Sequence, residues 1–156
     1  MNKNELRTRR VAWKIIKRAT YRDRRLSDVT AEIFRIEGNN INDQDRRFIT
    51  MLVQGTVRLS GRLDWEIRQV FVGEYEDLKE NIRILLRLGV FQLHYMDSIP
   101  DYAAVTTTVQ LAKRIHNNLG GLTNAILRTI LKEKKNDSMY SPPYSNFDKC
   151  VFTQNF

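Results

Sequence analysis

Apolar residues recur with a helical period in seven successive stretches, and little interrupts them. Val11, Ala12, Ile15, Ile16 and Ala19 mark one face of a first helix. Leu26, Val29, Ile33 and Ile36 mark a second, ended by Gly38, Asn39 and Asn40. Asn42 suits the N-cap of a third, with Asp43 and Asp45 in its first turn, where the helix dipole favours acids; Phe48, Met51, Leu52, Gly55 and Leu59 are its expected buried positions. A fourth carries Leu63, Ile67, Val70 and Phe71 and stops at Gly73. A fifth runs from about Leu78 through Ile82, Leu85, Leu86, Gly89 and Leu93. Pro100 fits the first turn of a sixth, built on Ala104, Val105, Thr108, Ala112 and Ile115. A seventh follows Gly120 and Gly121, with Leu122, Ala125, Ile126 and Ile130. With only 3 Pro and 7 Gly among 156 residues, a sandwich or barrel of many short strands lacks its turns. The expectation is an all-α domain of about seven helices over residues 1–135. From 136 to 156 an irregular tail is expected, because Ser141-Pro142-Pro143 cannot continue a helix. Its Tyr140, Tyr144, Phe147, Phe152 and Phe156 either dock on the body or open a further domain.

Charge is distributed unevenly. Residues 1–25 hold ten bases (Lys3, Arg7, Arg9, Arg10, Lys14, Lys17, Arg18, Arg22, Arg24 and Arg25) against Glu5 and Asp23, a net +8. The other 131 residues carry 16 bases and 16 acids and sum to zero. A basic block on a neutral body points to a polyanion, with a merely solvated face as the plain alternative. A mitochondrial transit peptide is also Arg-rich and acid-poor, but this block runs straight into a patterned helix.

On a helical wheel Arg7, Arg10, Lys14, Lys17 and Arg18 fall together, opposite Ala12, Ile15, Ile16 and Ala19. From Arg7 to Arg18 this stripe is about 16 Å long at ~1.5 Å per residue, enough for several phosphates. Arg9 and Trp13 fall between the faces, so Trp13 is either a boundary core residue or a platform on which an unpaired base stacks. Arg22, Arg24 and Arg25 extend the block into the next turn. The expected RNA-contacting set is therefore Arg7, Arg9, Arg10, Lys14, Lys17, Arg18, Arg22, Arg24 and Arg25, although electrostatics alone does not separate RNA from DNA.

Signals for catalysis are weak. His94 and His116 have no metal-ligand spacing with a carboxylate pair, no Gly-x-Ser-x-Gly occurs, and no Gly-x-Gly-x-x-Gly follows a strand. The single Cys, Cys150, excludes a disulfide framework and a zinc site of several thiolates. No catalytic residue, metal or cofactor is expected. Gly55 and Gly89, inside apolar patterns, read as close helix crossings, and Asn124 as a buried amide bonded to backbone. Without an 18-residue apolar run or a leader-like apolar segment, neither a membrane span nor secretion is expected, and the cytoplasm is the simplest compartment.

Several segments stand out by their wording. They are Asp45-Arg46-Arg47-Phe48, Leu52 to Arg58 (Leu-Val-Gln-Gly-Thr-Val-Arg), Arg62-Leu63-Asp64 with Ile67, and Leu86 to Leu93 (Leu-Arg-Leu-Gly-Val-Phe-Gln-Leu). Ile99-Pro100, Ala103-Ala104-Val105, Val109, Leu111-Ala112-Lys113 and Gly121 to Arg128 (Gly-Leu-Thr-Asn-Ala-Ile-Leu-Arg) complete an ordered set over about residues 9–131. In that order and spacing they resemble the NusB fold family, which implies two small antiparallel bundles packed together. One branch comprises antiterminators that bind RNA and pair with ribosomal protein S10; the other is the N-terminal domain of small-subunit rRNA 5-methylcytosine methyltransferases. The wording around Gly55, Gly89 and Asn124 is similar to the second branch, and the length to the first. Family members carry an arginine-rich start to the first helix that contributes to RNA binding, and Arg9-Arg10-Val11-Ala12 matches it; antiterminators usually have an acid near the position held here by Thr107. The resemblance thus implies RNA binding in rRNA transcription antitermination or maturation, with rRNA or its leader as ligand. It leaves two alternatives: the recognition domain of a methyltransferase without its catalytic half, and a module that recruits a ribosomal protein.

Overall fold

The computed structural model describes residues 2–136, and the expected tail lies, apart from Asn136, outside the described residues. Seven helices are present: α1 (Lys3–Tyr21), α2 (Leu26–Glu37), α3 (Asp43–Arg58), α4 (Ser60–Val70), α5 (Glu80–Tyr95), α6 (Asp101–Ile115) and α7 (Leu119–Lys135). Single 3-10 turns, Gly38–Asn40 and Tyr75–Asp77, precede α3 and α5. No strand occurs among the described residues.

Local chemistry sets the boundaries. Asn42 caps α3, its side chain accepting from the Asp45 amide at 2.8 Å. Gly38, at φ +56°, ends α2 in a conformation that a side chain would strain. Pro100 sits at the N-cap of α6, one residue earlier than expected. α5 begins at Glu80 rather than Leu78. α7 begins at Leu119, so Gly120 and Gly121 lie inside it. There the first N–H groups lack helical partners anyway, and the flank of Gly120 is occupied by the aliphatic stem of Lys113.

α1, α2 and α3 form one packed group, and α4 to α7 form the other. α5 is the hub. Ile84 to Leu86 and Leu88 to Leu93 are buried, and α5 packs on α1, α3, α4, α6 and α7. A helix apolar over most of its circumference belongs inside a fold, which is how α5 is used, with Arg87 and His94 paired to Asp64 and Glu66 of α4. The two helix glycines mark close crossings, as expected. A Cβ at Gly55 would lie 2.1 Å from Phe91 Cζ, and one at Gly89 2.9 Å from Leu127 Cδ2 and Thr108 Cγ2.

The expected core face of α1 is buried throughout. Three expected core residues are instead exposed: Ile36 at 65%, Met51 at 51%, and Ala125. On α3 the buried stripe is rotated towards Ile49, Leu52, Val53 and Thr56, which leaves Met51 on the open side. Asn124 is also corrected. Its Oδ1 accepts from Arg128 Nε one turn along at 2.9 Å in an exposed setting, so it is not a buried amide.

Candidate nucleic-acid interface

The inner face of α1 is fixed by Val11, Ala12, Ile15 and Ile16, each at most 5% exposed. That anchoring sets which way its cations point. Lys14 is exposed, and Arg10 and Lys17 are half-buried on the outer side. Arg22, Arg24 and Arg25 are exposed in the turn that follows, where Asp23 adopts φ +47°.

The expected set divides into cations that are available and cations already engaged. Arg18 and Arg24 both pair with Glu32 of α2, at 3.0 and 2.5 Å. The hydrogen bond from Arg24, joined by the charges of Arg24 and Arg18, holds the Glu32 carboxyl below the ordinary range. Arg7 donates to the Asn40 carbonyl at 2.9 Å. Arg10, Lys14, Lys17, Arg22 and Arg25 form no ion pair among the described residues. Lys17 lies over the Trp13 ring, 4.7 Å from its centroid.

Arg9 is not on the open face. It is 6% exposed; its Nε donates to Gln92 Oε1 at 2.9 Å and its guanidinium lies 4.6 Å from the Phe48 centroid. Burial pushes its pKa down, opposed by the charge of Glu5. Arg9 therefore ties α1 to α5 and α3, and it leaves the candidate contact set. Its place between the two faces of the wheel was the signal for this. Trp13 takes the boundary-core role: its Nε1 donates to the Asn81 carbonyl at 2.9 Å, and its ring packs against both clusters of buried apolar residues. The partners Glu32, Gln92 and Asn81 were not singled out in the sequence, because they lie 14, 83 and 68 residues from the groups they bind.

The same helices in the same order occur in known proteins. The model of the NusB family matches residues 6–132. The chain belongs to the NusB family. A probable ribosomal RNA small subunit methyltransferase B of Bacillus subtilis (strain 168) is 35% identical over 99 residues, 63% of this chain and 22% of that protein. A ribosomal RNA small subunit methyltransferase B of Yersinia pseudotuberculosis serotype O:1b (strain IP 31758) is 31% identical over 150 residues, 90% of this chain and 34% of that protein. The chain thus spans between about a fifth and a third of the length of these curated relatives. Among solved structures, the antitermination factors NusB and NusE in complex with dsRNA give a TM-score of 0.74 at 24% identity, covering 85% of this chain and 98% of that one. T. maritima NusB gives 0.73 at 23%, covering 89% and 100%. The all-α NusB fold expected from the sequence is thereby shown. No helix among the described residues is long and apolar enough to cross a membrane.

Proposed function

We propose that this NusB-family chain binds RNA through the outer face of α1 and the turn after it, and acts in rRNA transcription antitermination or maturation in the cytoplasm. The observation that carries the reading is that Arg10, Lys14 and Lys17 on α1, and Arg22 and Arg25 in the turn after it, have no carboxylate partner among the described residues, while the other face of α1 is locked into the core. Arg7, Arg18 and Arg24 flank this surface; they reach a phosphate only by giving up Asn40 or Glu32. The chemistry is phosphate neutralisation and positioning, with no covalent step and no cofactor. Ribosomal protein S10 is the protein partner this reading carries. Identity to the methyltransferase relatives supports a second form of it, in which the chain is the RNA-recognition part of an rRNA 5-methylcytosine methyltransferase and the chemistry belongs elsewhere. Labelled methyl passed from S-adenosylmethionine to rRNA by the purified chain alone contradicts both.

The salt dependence of binding to a labelled single-stranded rRNA segment tests the surface. Five neutralised phosphates at a slope of about −0.7 each give a log–log slope near −3.5. Replacing Arg10 and Lys14 together by Gln is expected to weaken binding and flatten the slope by about 1.4, with stability unchanged to within about 0.5 kcal/mol. Trp13→Phe is expected to do the reverse: RNA affinity and slope hold, and about 1 kcal/mol of stability is lost with the bond to Asn81. Unchanged affinity and slope in the Arg10/Lys14 variant place the RNA elsewhere.

A further inference from the structure

α3 has a second face that the packing leaves open. Beside its buried stripe, Arg46, Arg47, Met51, Gly55, Arg58 and Leu59 line a groove of about 510 Å³. Phe91 closes the floor beneath Gly55. Met51, at 51% exposure, presents its thioether in the middle of this face. The Arg46 guanidinium is held by the carbonyls of Gly38 and Ile41 and lies 5.5 Å from the Phe34 ring centroid, so it is aimed rather than sweeping through solvent. Arg47 is exposed and has no ion pair among the described residues. No acid is among the described residues that line the groove. From Arg46 to Arg58 the face is about 18 Å long at ~1.5 Å per residue. A second depression of about 780 Å³, between α1, α2 and α3, shares Thr50, Gln54 and Arg58 with it and adds Arg24 and Arg25.

We propose that this face of α3 receives an acidic amphipathic helix of a partner protein. The length suits about twelve residues of helix. The apolar centre suits leucine-like anchors repeating at i, i+3, i+4 and i+7, and a flexible thioether adapts to such anchors. Arg47 at the rim suits a carboxylate, which a guanidinium meets with two parallel hydrogen bonds, and Arg46, engaged by the Gly38 and Ile41 carbonyls, adds its positive charge beside it. RNA fits less well. Phe91 is only 6% exposed and no other aromatic ring among the described residues lines the groove, so these residues give a base no platform on which to stack. The face is distinct from the outer face of α1, and the proposal stands independently of RNA binding there.

The probe is a fluorescein-labelled synthetic helix with leucines at those four spacings and glutamates elsewhere, followed by anisotropy against the full chain. Saturable binding is expected. Met51→Glu and Arg47→Glu, both at exposed positions, are each expected to weaken it by about tenfold, the effect of one good contact in such a site. Replacing the glutamates of the probe by lysines is expected to cost at least as much. The Arg10/Lys14 double variant, which removes as much charge from α1, is expected to bind the probe as the unaltered chain does. The proposal is overturned by absent binding, by binding that is indifferent to Met51→Glu, by equal binding of the lysine probe, or by loss in the α1 variant. Single-stranded RNA whose binding is abolished by Met51→Glu also overturns it and makes the groove an RNA site.

Discussion

Glu66→Ala is expected to destabilise the fold by about 3 kcal/mol, read as a shift in urea midpoint at unchanged slope. Glu66 is 1% exposed on α4. Its Oε1 accepts from Arg62 Nε at 2.9 Å and from the Tyr95 hydroxyl at 3.2 Å, and His94 Nδ1 lies 2.6 Å from its Oε2. Truncating the carboxylate leaves the largely buried Arg62 guanidinium without its counter-charge and His94 Nδ1 without its partner, which is the costly way to break such a cluster. The same group makes stability depend on pH. Burial pushes the Glu66 carboxyl up, but the hydrogen bonds and charges of His94 and Arg62 outweigh it, and the net shift is downward. A carboxyl with a lowered folded-state pKa stabilises fully above its unfolded value. That contribution is lost as pH falls below about 4.3, where the unfolded chain takes up the proton first. Unfolding of the native chain is therefore expected to become easier below that pH by more than unfolding of Glu66→Gln does. Parallel stability–pH curves for the two proteins would show that the carboxylate is not coupled to folding.

Gly55→Ala is expected to cost about 2 kcal/mol, although Ala is the better helix former by about 1 kcal/mol. Steric conflict decides the sign. The added Cβ falls 2.1 Å from Phe91 Cζ and within 2.8 Å of both neighbouring ring carbons. That ring is held in turn by stacking on Tyr95, with centroids 5.6 Å apart. Relief requires α3 and α5 to separate or the ring to leave its seat. Gly89→Ala is expected to cost less, because its Cβ meets only methyl ends of Leu127 and Thr108, at 2.9 Å. Phe91→Leu in the Gly55→Ala background is expected to recover part of the loss, and the coupling energy of that double-mutant cycle is the measurement. A strictly additive cycle would separate the glycine from the ring.

What could be read from the sequence follows from which forces are local. The core face of α1 was legible because five apolar residues repeat with one period and no competing stripe exists on that helix. On α3, Met51 and Ile49 both fit an apolar repeat. Only the packing of α1 and α5 on α3 decides that Ile49 turns inward and Met51 outward. The basic block was legible from counting. Its division was not, because Glu32, which engages Arg18 and Arg24, belongs to a neighbouring helix, and Gln92, which holds Arg9 inside, lies 83 residues away. The Arg46 and Arg47 rim of the α3 groove lies in the Asp45-Arg46-Arg47-Phe48 segment, where the two arginines carried a signal only for the family resemblance. The Glu66, His94 and Arg62 cluster was hidden for the same reason as Gln92: His94 is 28 residues from the carboxylate that it meets.

The central claim is that RNA lies along the outer face of α1. It is tested most directly by photo-crosslinking a 4-thiouridine-substituted single-stranded rRNA segment to the full chain and identifying the attached peptides by mass spectrometry. The account predicts adducts concentrated in residues 10–25, carried by the peptides that hold Lys14, Lys17 and the Arg22 to Arg25 turn, and lost in the Arg10/Lys14 double variant. Adducts confined to α3 or α7, with residues 10–25 unlabelled, would contradict it.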